Sequence, residues 1–262
     1  MNSRWVPAGP SSFDRLRMRA VGFFAMTDAL LTVTNLSAAY GMASVLFDVS
    51  LEARRGEVVA LMGRNGAGKT TTLKAIIGMV EAKAEVLSFE GHDIRRMPSF
   101  RIARLGLGYV PEERRIFTDL TVQENLEVGR RPARDDREAW TLERLYAIFP
   151  NLAEMEGRRA SAMSGGEQQM LTIARTLMGN PDMVLLDEPS EGLAPVIVEQ
   201  MAEAVIAMKA TGIAVLLCEQ NLHFAAAVSD RAYVIEKGTI RFSGTMAELE
   251  ANDEVREAYL TV

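Results

Sequence analysis

The sequence predicts an α/β fold: a parallel-sheet core wrapped by helices, an antiparallel β subdomain ahead of it and a helical subdomain inserted into it. Three observations carry this. Short, wholly apolar runs at Val58–Met62 (VVALM), Met183–Leu186 (MVLL) and Ile213–Leu217 (IAVLL) read as strands buried on both faces, the habit of parallel sheets. Helix-length stretches, Lys69–Met79 and Glu167–Met178, lie between them. Ahead of the first run, Leu30–Leu36 (LLTVTNL) and Val45–Leu51 (VLFDVSL) alternate apolar and polar side chains, as antiparallel strands with one wet face do.

Residues 1–25 stand apart, with four Arg against one Asp and many Pro, Gly and Ser. The apolar stretch Ala20–Met26 is short and interrupted by Gly22, so a secretory signal is not expected. This stretch reads as a disordered extension, with Met26 as an alternative start and residues 26–262 as the folded unit. From about residue 95 to 178, only Gly106–Pro111 resembles a strand. The remainder, including the helix-like Arg137–Ile148, is expected to form the helical subdomain. Near the end, Tyr233–Glu236, Lys237-Gly238 and Thr239–Phe242 read as a hairpin with a two-residue turn, and Met246–Leu260 as a terminal helix.

Composition excludes several functions. The 262 residues hold 29 Lys+Arg against 35 Asp+Glu, a formal net charge of -6, which disfavours a nucleic-acid backbone as the main partner. Only two histidines occur, His92 and His223, so no multi-histidine metal site can form. The single cysteine, Cys218, has no internal disulfide partner and reads as a small buried thiol. No run approaches the roughly 20 apolar residues of a membrane helix, so any membrane role is expected to come through partners.

Gly63-Arg64-Asn65-Gly66-Ala67-Gly68-Lys69-Thr70 fits G-x-x-x-x-G-K-[ST], with a predicted strand before it and a predicted helix after it. Glycines let successive N–H groups face one concavity, and the helix dipole adds positive potential there. Lys69 can reach β- and γ-phosphates, Thr70 can ligate Mg²⁺, and Thr71 continues the binding segment. The core is therefore read as a P-loop NTPase core. The loop alone does not separate a kinase, GTPase, helicase or transport ATPase.

Met183–Leu186 ends in Asp187-Glu188-Pro189. Asp187 thus falls at the carboxyl end of a buried strand, the edge where open α/β sheets bind ligands. It would hold Mg²⁺, and Glu188 would serve as general base toward the water attacking the γ-phosphate. Two adjacent carboxylates beside a triphosphate imply a cation between them.

Between these sites lies Met163-Ser164-Gly165-Gly166-Glu167-Gln168-Gln169, followed by an apolar helix. Small residues at a helix N-terminus form another anion site. Set between the loop lysine and the acid pair, this segment resembles the signature of ATP-binding cassette (ABC) transporter ATPases, over about residues 30–242. The resemblance implies that ATP and Mg²⁺ are used. It also implies that Ser164, Gly165, Gly166 and Glu167 meet ATP held by a second cassette, and that two cassettes pair head to tail. Tyr40 lies where the family places an aromatic that stacks on adenine.

Three positions depart together from the commonest pattern. Glu112 follows Gly108-Tyr109-Val110-Pro111 where Gln is usual, Gln220 replaces the switch His, and Ala194 replaces a loop Asp. His223 is not that switch residue, because Gln220 stands ten residues before Asp230-Arg231. With V-P-E-x-R-R-x-F at 110–117 and E-Q-N at 219–221, the set resembles ATP-binding subunits of branched-chain amino acid importers, in particular their second-named ATPase. The urea-importer ATPase is the next resemblance, and Asn252–Leu260 fits the same branch.

The resemblance implies a peripheral ATPase on the cytoplasmic face of the inner membrane. Its partners would be integral-membrane permease subunits, a second ABC ATPase and, indirectly, a periplasmic substrate-binding protein; no nucleic acid is expected. Arg114, Arg115 and Phe117 lie near where a cassette grips its permease. Gln220 and Glu112 would take part in hydrolysis, Glu112 also as a Mg²⁺ ligand. A urea or amide importer, a soluble cassette ATPase and a weakly hydrolysing regulator remain as alternatives, and the cargo is not encoded in these residues.

Overall fold

The structure, a computed structural model, describes residues 29–134 and 138–260. The extension 1–25, the alternative start at Met26 and the first residue of the Arg137–Ile148 stretch lie outside the described residues. The chain runs β1 (Ala29–Tyr40), β2 (Ala43–Arg54), β3 (Val58–Met62), α1 (Lys69–Ile76), β4 (Ala82–Lys83), β5 (Val86–Phe89), β6 (His92–Asp93), α2 (Ser99–Leu105) and β7 (Leu107–Val110). Helices α3 (Val122–Gly129), α4 (Leu142–Ile148) and α5 (Pro150–Glu154), a 3-10 turn at Ala160–Ala162, and α6 (Gly165–Leu177) come next. Then follow β8 (Met183–Asp187), α7 (Pro195–Ala210), β9 (Ala214–Glu219), α8 (Leu222–Val228), β10 (Arg231–Glu236), β11 (Thr239–Thr245), α9 (Met246–Glu250) and α10 (Asp253–Tyr259).

Two sheets result. The antiparallel one runs β2-β1-β5-β6, with β4 beside β1, and the larger one runs β11-β10-β3-β9-β8-β7. In the larger sheet β10, β3, β9, β8 and β7 are mutually parallel, while β11 joins as the return strand of a hairpin. The three apolar runs singled out in the sequence become neighbouring central strands. On β3, Val59 and Leu61 enter a core shared with the antiparallel sheet, Val58 enters the core beneath α6 and α7, and Ala60 and Met62 pack toward α8 and α9. Burial of each Val, Leu or Met side chain here is worth roughly 1.5–3 kcal/mol, so β3 is held from both faces.

The described histidines are surface residues and Cys218 is fully buried, as a lone thiol in an apolar run should be. Three expected elements are redrawn. The stretch Arg137–Ile148 is helical only from Leu142, because Thr141 caps it and the Trp140 amide donates to Asn180 Oδ1 instead of a helical carbonyl. The terminal helix Met246–Leu260 divides at Asn252, whose side chain accepts from the Val255 amide and starts a new helix. Helix α1 stops at Ile76, three residues short of Met79, as the chain turns through Gly78 at φ 74°. Strand Leu107–Val110, inside the stretch 95–178, pairs with β8 in the core sheet. Among the described residues, no helix is long and apolar enough to cross a membrane.

Candidate functional site

The phosphate-loop motif occupies the connection between β3 and α1, at the carboxyl end of the sheet. Gly66 and Gly68 take φ of 78° and 115°, and a Cβ on Gly68 would come within 2.9 Å of Leu46 Cδ2, so the curl requires glycine there. Lys69 is 3% exposed and reaches back over the loop, donating to the Gly63 carbonyl at 2.7 Å and the Arg64 carbonyl at 3.1 Å. Its ammonium also pairs with Glu188 Oε1 at 3.1 Å. Arg64, Asn65 and Gly66 lie at the surface of the loop, whereas Ala67 and Thr71 are buried. The loop is further tied to the β10–β11 turn, where the Gly238 amide donates to the Ala67 carbonyl at 2.8 Å.

Strand β8 delivers Asp187 opposite the loop, with β9 lying between β8 and β3. Asp187 Oδ1 accepts from the Thr70 hydroxyl at 2.9 Å, and Oδ2 accepts from the Tyr109 hydroxyl at 3.0 Å. Burial pushes the Asp187 carboxyl above the usual range, while these two hydrogen bonds pull against that rise. Burial and the neighbouring Asp187 charge likewise push the Tyr109 phenol up, keeping it a donor. A hydroxyl and a carboxylate oxygen this close are hard oxygen donors of the kind that would hold Mg²⁺. In keeping with so sparse a set, the described residues contain no group of three or more His, Cys, Asp or Glu arranged around a metal position.

Glu188 stands one residue beyond β8 with φ 48°, a left-handed conformation that turns the chain sharply out of the strand. It lines a cavity of about 180 Å³ with Glu112, Arg114, Gln169, Pro189, Glu191 and Leu193. Glu112 is exposed and reaches this cavity. Gln220 follows β9 directly, half-buried, its amide donating to Glu219 Oε2 at 3.1 Å.

The structure thus joins Lys69, Thr70, Asp187 and Glu188, with Glu112 beside Glu188. It does not join Ser164, Gly165, Gly166 and Glu167 to them. Those residues open α6, where Ser164 and Glu167 form a reciprocal capping box: the Ser164 amide donates to Glu167 Oε2 at 2.6 Å, and the Glu167 amide donates to Ser164 Oγ. Tyr40 closes β1 at the tip of the β1–β2 hairpin, 50% exposed. The segment after Glu112 is fastened to α6: Thr172 Oγ1 donates to the Arg114 carbonyl at 2.5 Å, and Arg175 Nη2 donates to the Arg115 carbonyl at 2.6 Å. Arg175 also stacks over Phe117, which stays 48% exposed. Sequence reasoning missed Tyr109, Glu191 and Glu219. For Glu219 the available signal was a carboxylate ending the apolar run before Gln220.

A glycine-rich loop between a central parallel strand and a helix, faced by Asp187-Glu188 from two strands away, defines a P-loop nucleoside triphosphatase core. The chain belongs to the ABC transporter family, whose sequence profile matches residues 46–191, and whose ATP-binding subunits hydrolyse ATP. It is 43% identical over 231 residues, 88% of this chain and 99% of the relative, to the high-affinity branched-chain amino acid transport ATP-binding protein BraG of Pseudomonas aeruginosa. It is 36% identical over 236 residues, 88% of this chain and 97% of the relative, to the lipopolysaccharide export system ATP-binding protein LptB of Escherichia coli. Among solved structures, the ADP conformation of an ATP-binding cassette of an ABC transporter superposes with a TM-score of 0.74 at 27% identity, covering 88% of this chain and 98% of that one.

Proposed function

We propose that this chain is the ATP-hydrolysing subunit energising a branched-chain amino acid importer. The observation that carries the reading is the 43% identity to BraG across 99% of that protein. The joint occurrence of Glu112, Gln220 and Ala194 supports it. The chain is read as one nucleotide-binding unit, residues 26–262, carrying a helical part at about 95–178.

In this reading residues 63–71 cradle the phosphates of ATP and Tyr40 stacks on its adenine. The Lys69 ammonium, held at the loop carbonyls, transfers from Glu188 to the phosphates. Thr70 and Asp187 would hold Mg²⁺, with Glu112, which lines the neighbouring Glu188 cavity, as the further candidate ligand; the bound ion would neutralise phosphate charge. Glu188, released from Lys69, accepts a proton from the attacking water, and Gln220 hydrogen-bonds that water or a γ-phosphate oxygen. Ser164 to Glu167 would meet the ATP of a second cassette, so ATP closes a head-to-tail pair and hydrolysis reopens it. The partners would be permease subunits, a sister or identical ATPase and, through them, a periplasmic binding protein, with the chain peripheral to the inner membrane on its cytoplasmic face.

The test is reconstitution of the chain with its co-purifying membrane subunits in liposomes. Leucine-loaded binding protein is expected to stimulate ATP hydrolysis several-fold over the unloaded protein. Stimulation by urea or an amide alone would assign the cargo to that class. Absence of any co-purifying multispanning subunit would place the ATPase outside transport.

A further inference from the structure

We propose that Glu219 is a positioning residue for ATP hydrolysis, its buried carboxylate setting the backbone of Glu188 and of Gln220 in one frame. The inference deepens the site reading above and rests on it.

Glu219 ends β9 and is 2% exposed. Its two oxygens divide their work. Oε1 accepts from the Ser190 amide at 3.1 Å, while Oε2 accepts from the Gln220 amide at 3.1 Å and the Asn221 amide at 3.2 Å. Three backbone donors on one buried carboxylate make a fixed, charge-assisted junction. Burial raises the Glu219 carboxyl and these amides oppose the rise, which is the balance a buried anion needs.

The consequence for Glu188 is geometric. Its own amide donates to the Cys218 carbonyl at 2.9 Å, extending the β8–β9 ladder by one step. At φ 48° the chain then leaves the strand, and two residues later the Ser190 amide returns to Glu219. Glu188 is therefore pinned on both sides to the last two residues of the same neighbouring strand. Through its other oxygen, Glu219 holds the amide of Gln220 and that of Asn221, which caps α8 by accepting from the Phe224 amide. The two groups that would handle the attacking water thus come from different strands and share one anchor. Displacements near 1 Å at such groups cost on the order of 100-fold in rate.

Two substitutions in the full chain test this. Glu219→Asp keeps a carboxylate able to meet the adjacent Gln220 and Asn221 amides but is one methylene short of Ser190. Glu219→Gln keeps the length but turns an NH₂ toward a backbone donor. Each is expected to lower kcat at saturating ATP by at least about tenfold, while the Kd for a fluorescent ATP analogue stays within about twofold. Hydrogen exchange of the peptide spanning 188–193 should quicken in the Asp variant.

The proposal is overturned if kcat per bound nucleotide stays near native in both variants, even when thermal stability falls, because that pattern marks a merely structural role. If the Gln variant does not fold, the Asp variant decides. In the native chain the Ser190 and Gln220 amides should exchange slowly, and fast exchange there overturns the proposal without any variant. Glu188→Gln separates the two readings: sustained turnover in that variant removes the general-base assignment itself, whereas a dead Glu188→Gln beside near-native kcat in both Glu219 variants removes only the role of Glu219.

Discussion

Carboxylates crowd the ends of β8 and β9, and Glu191 registers the crowding. A hydrogen bond with Glu188, partial burial and the nearby charges of Glu188, Glu112 and Glu219 push its carboxyl up to about 7. A carboxyl raised on folding favours the native state most when protonated. That contribution is complete below the ordinary carboxylate range and is lost as pH rises through about 7. The thermal midpoint of the protein is therefore expected to fall between about pH 5 and pH 8, and Glu191→Gln should flatten part of that fall in differential scanning fluorimetry. Glu191 is exposed, so solvent screening keeps the effect small. At this scale the sequence is legible where chemistry is written in spacing: Lys69, Thr70, Asp187 and Glu188 could be picked from the linear pattern and do meet. Tyr109 could not, and for Glu219 the pattern marked a carboxylate at a strand end but not what it holds. Their meaning lies in partners across strands, a backbone amide in one case and Asp187 in the other.

Among the elements, the β10–β11 hairpin has consequences beyond its own sheet. Lys237 and Gly238, with φ of 47° and 76°, form the two-residue turn that the Lys-Gly pair foretold. Gly238 also accepts from the Phe47 amide and donates to the Ala67 carbonyl, so the turn staples β2 to the phosphate loop. A Cβ there would stand 1.9 Å from the Val45 carbonyl oxygen. Gly238→Val is expected to cost about 2–3 kcal/mol and to lower the thermal midpoint by roughly 5–10 °C, with weaker ATP binding by titration. Strands β3, β8 and β9 were readable because burial on both faces leaves apolar runs, broken in β8 and β9 only by the carboxylates that end them, Asp187 and Glu219. The long helix α7 was not: apolar residues fall on nearly every face, and Ala194 supplies no side-chain cap, leaving Pro195 as the sole start signal. The four-residue β5 and two-residue β4 and β6 are too short to display a period.

Across the whole molecule, the two phosphate-binding signals of the sequence stay separate. Lys69 and its neighbours lie at the sheet, while Ser164 spends its hydrogen bonds on Glu167 at the start of α6. In the proposed reading each signal is completed by another cassette. Glu188→Gln in the presence of ATP is expected to shift from monomer to two-cassette mass by light scattering, and the shift should vanish with Ser164→Arg; an unchanged monomer would sink head-to-tail pairing. In that reading the pairing rests only on the co-occurrence of motifs, since no local pattern states that a second molecule is needed.

The ion pair between Lys69 and Glu188 has a further consequence. Because the ammonium is already shared between loop carbonyls and that carboxylate, in the proposed reading a phosphate chain would enter by exchanging partners with Glu188. A ligand too short or too weakly charged to draw the ammonium away would leave the carboxylate engaged. The reach of the phosphate chain would then select what is bound and also decide when the proposed base, Glu188, becomes free to act.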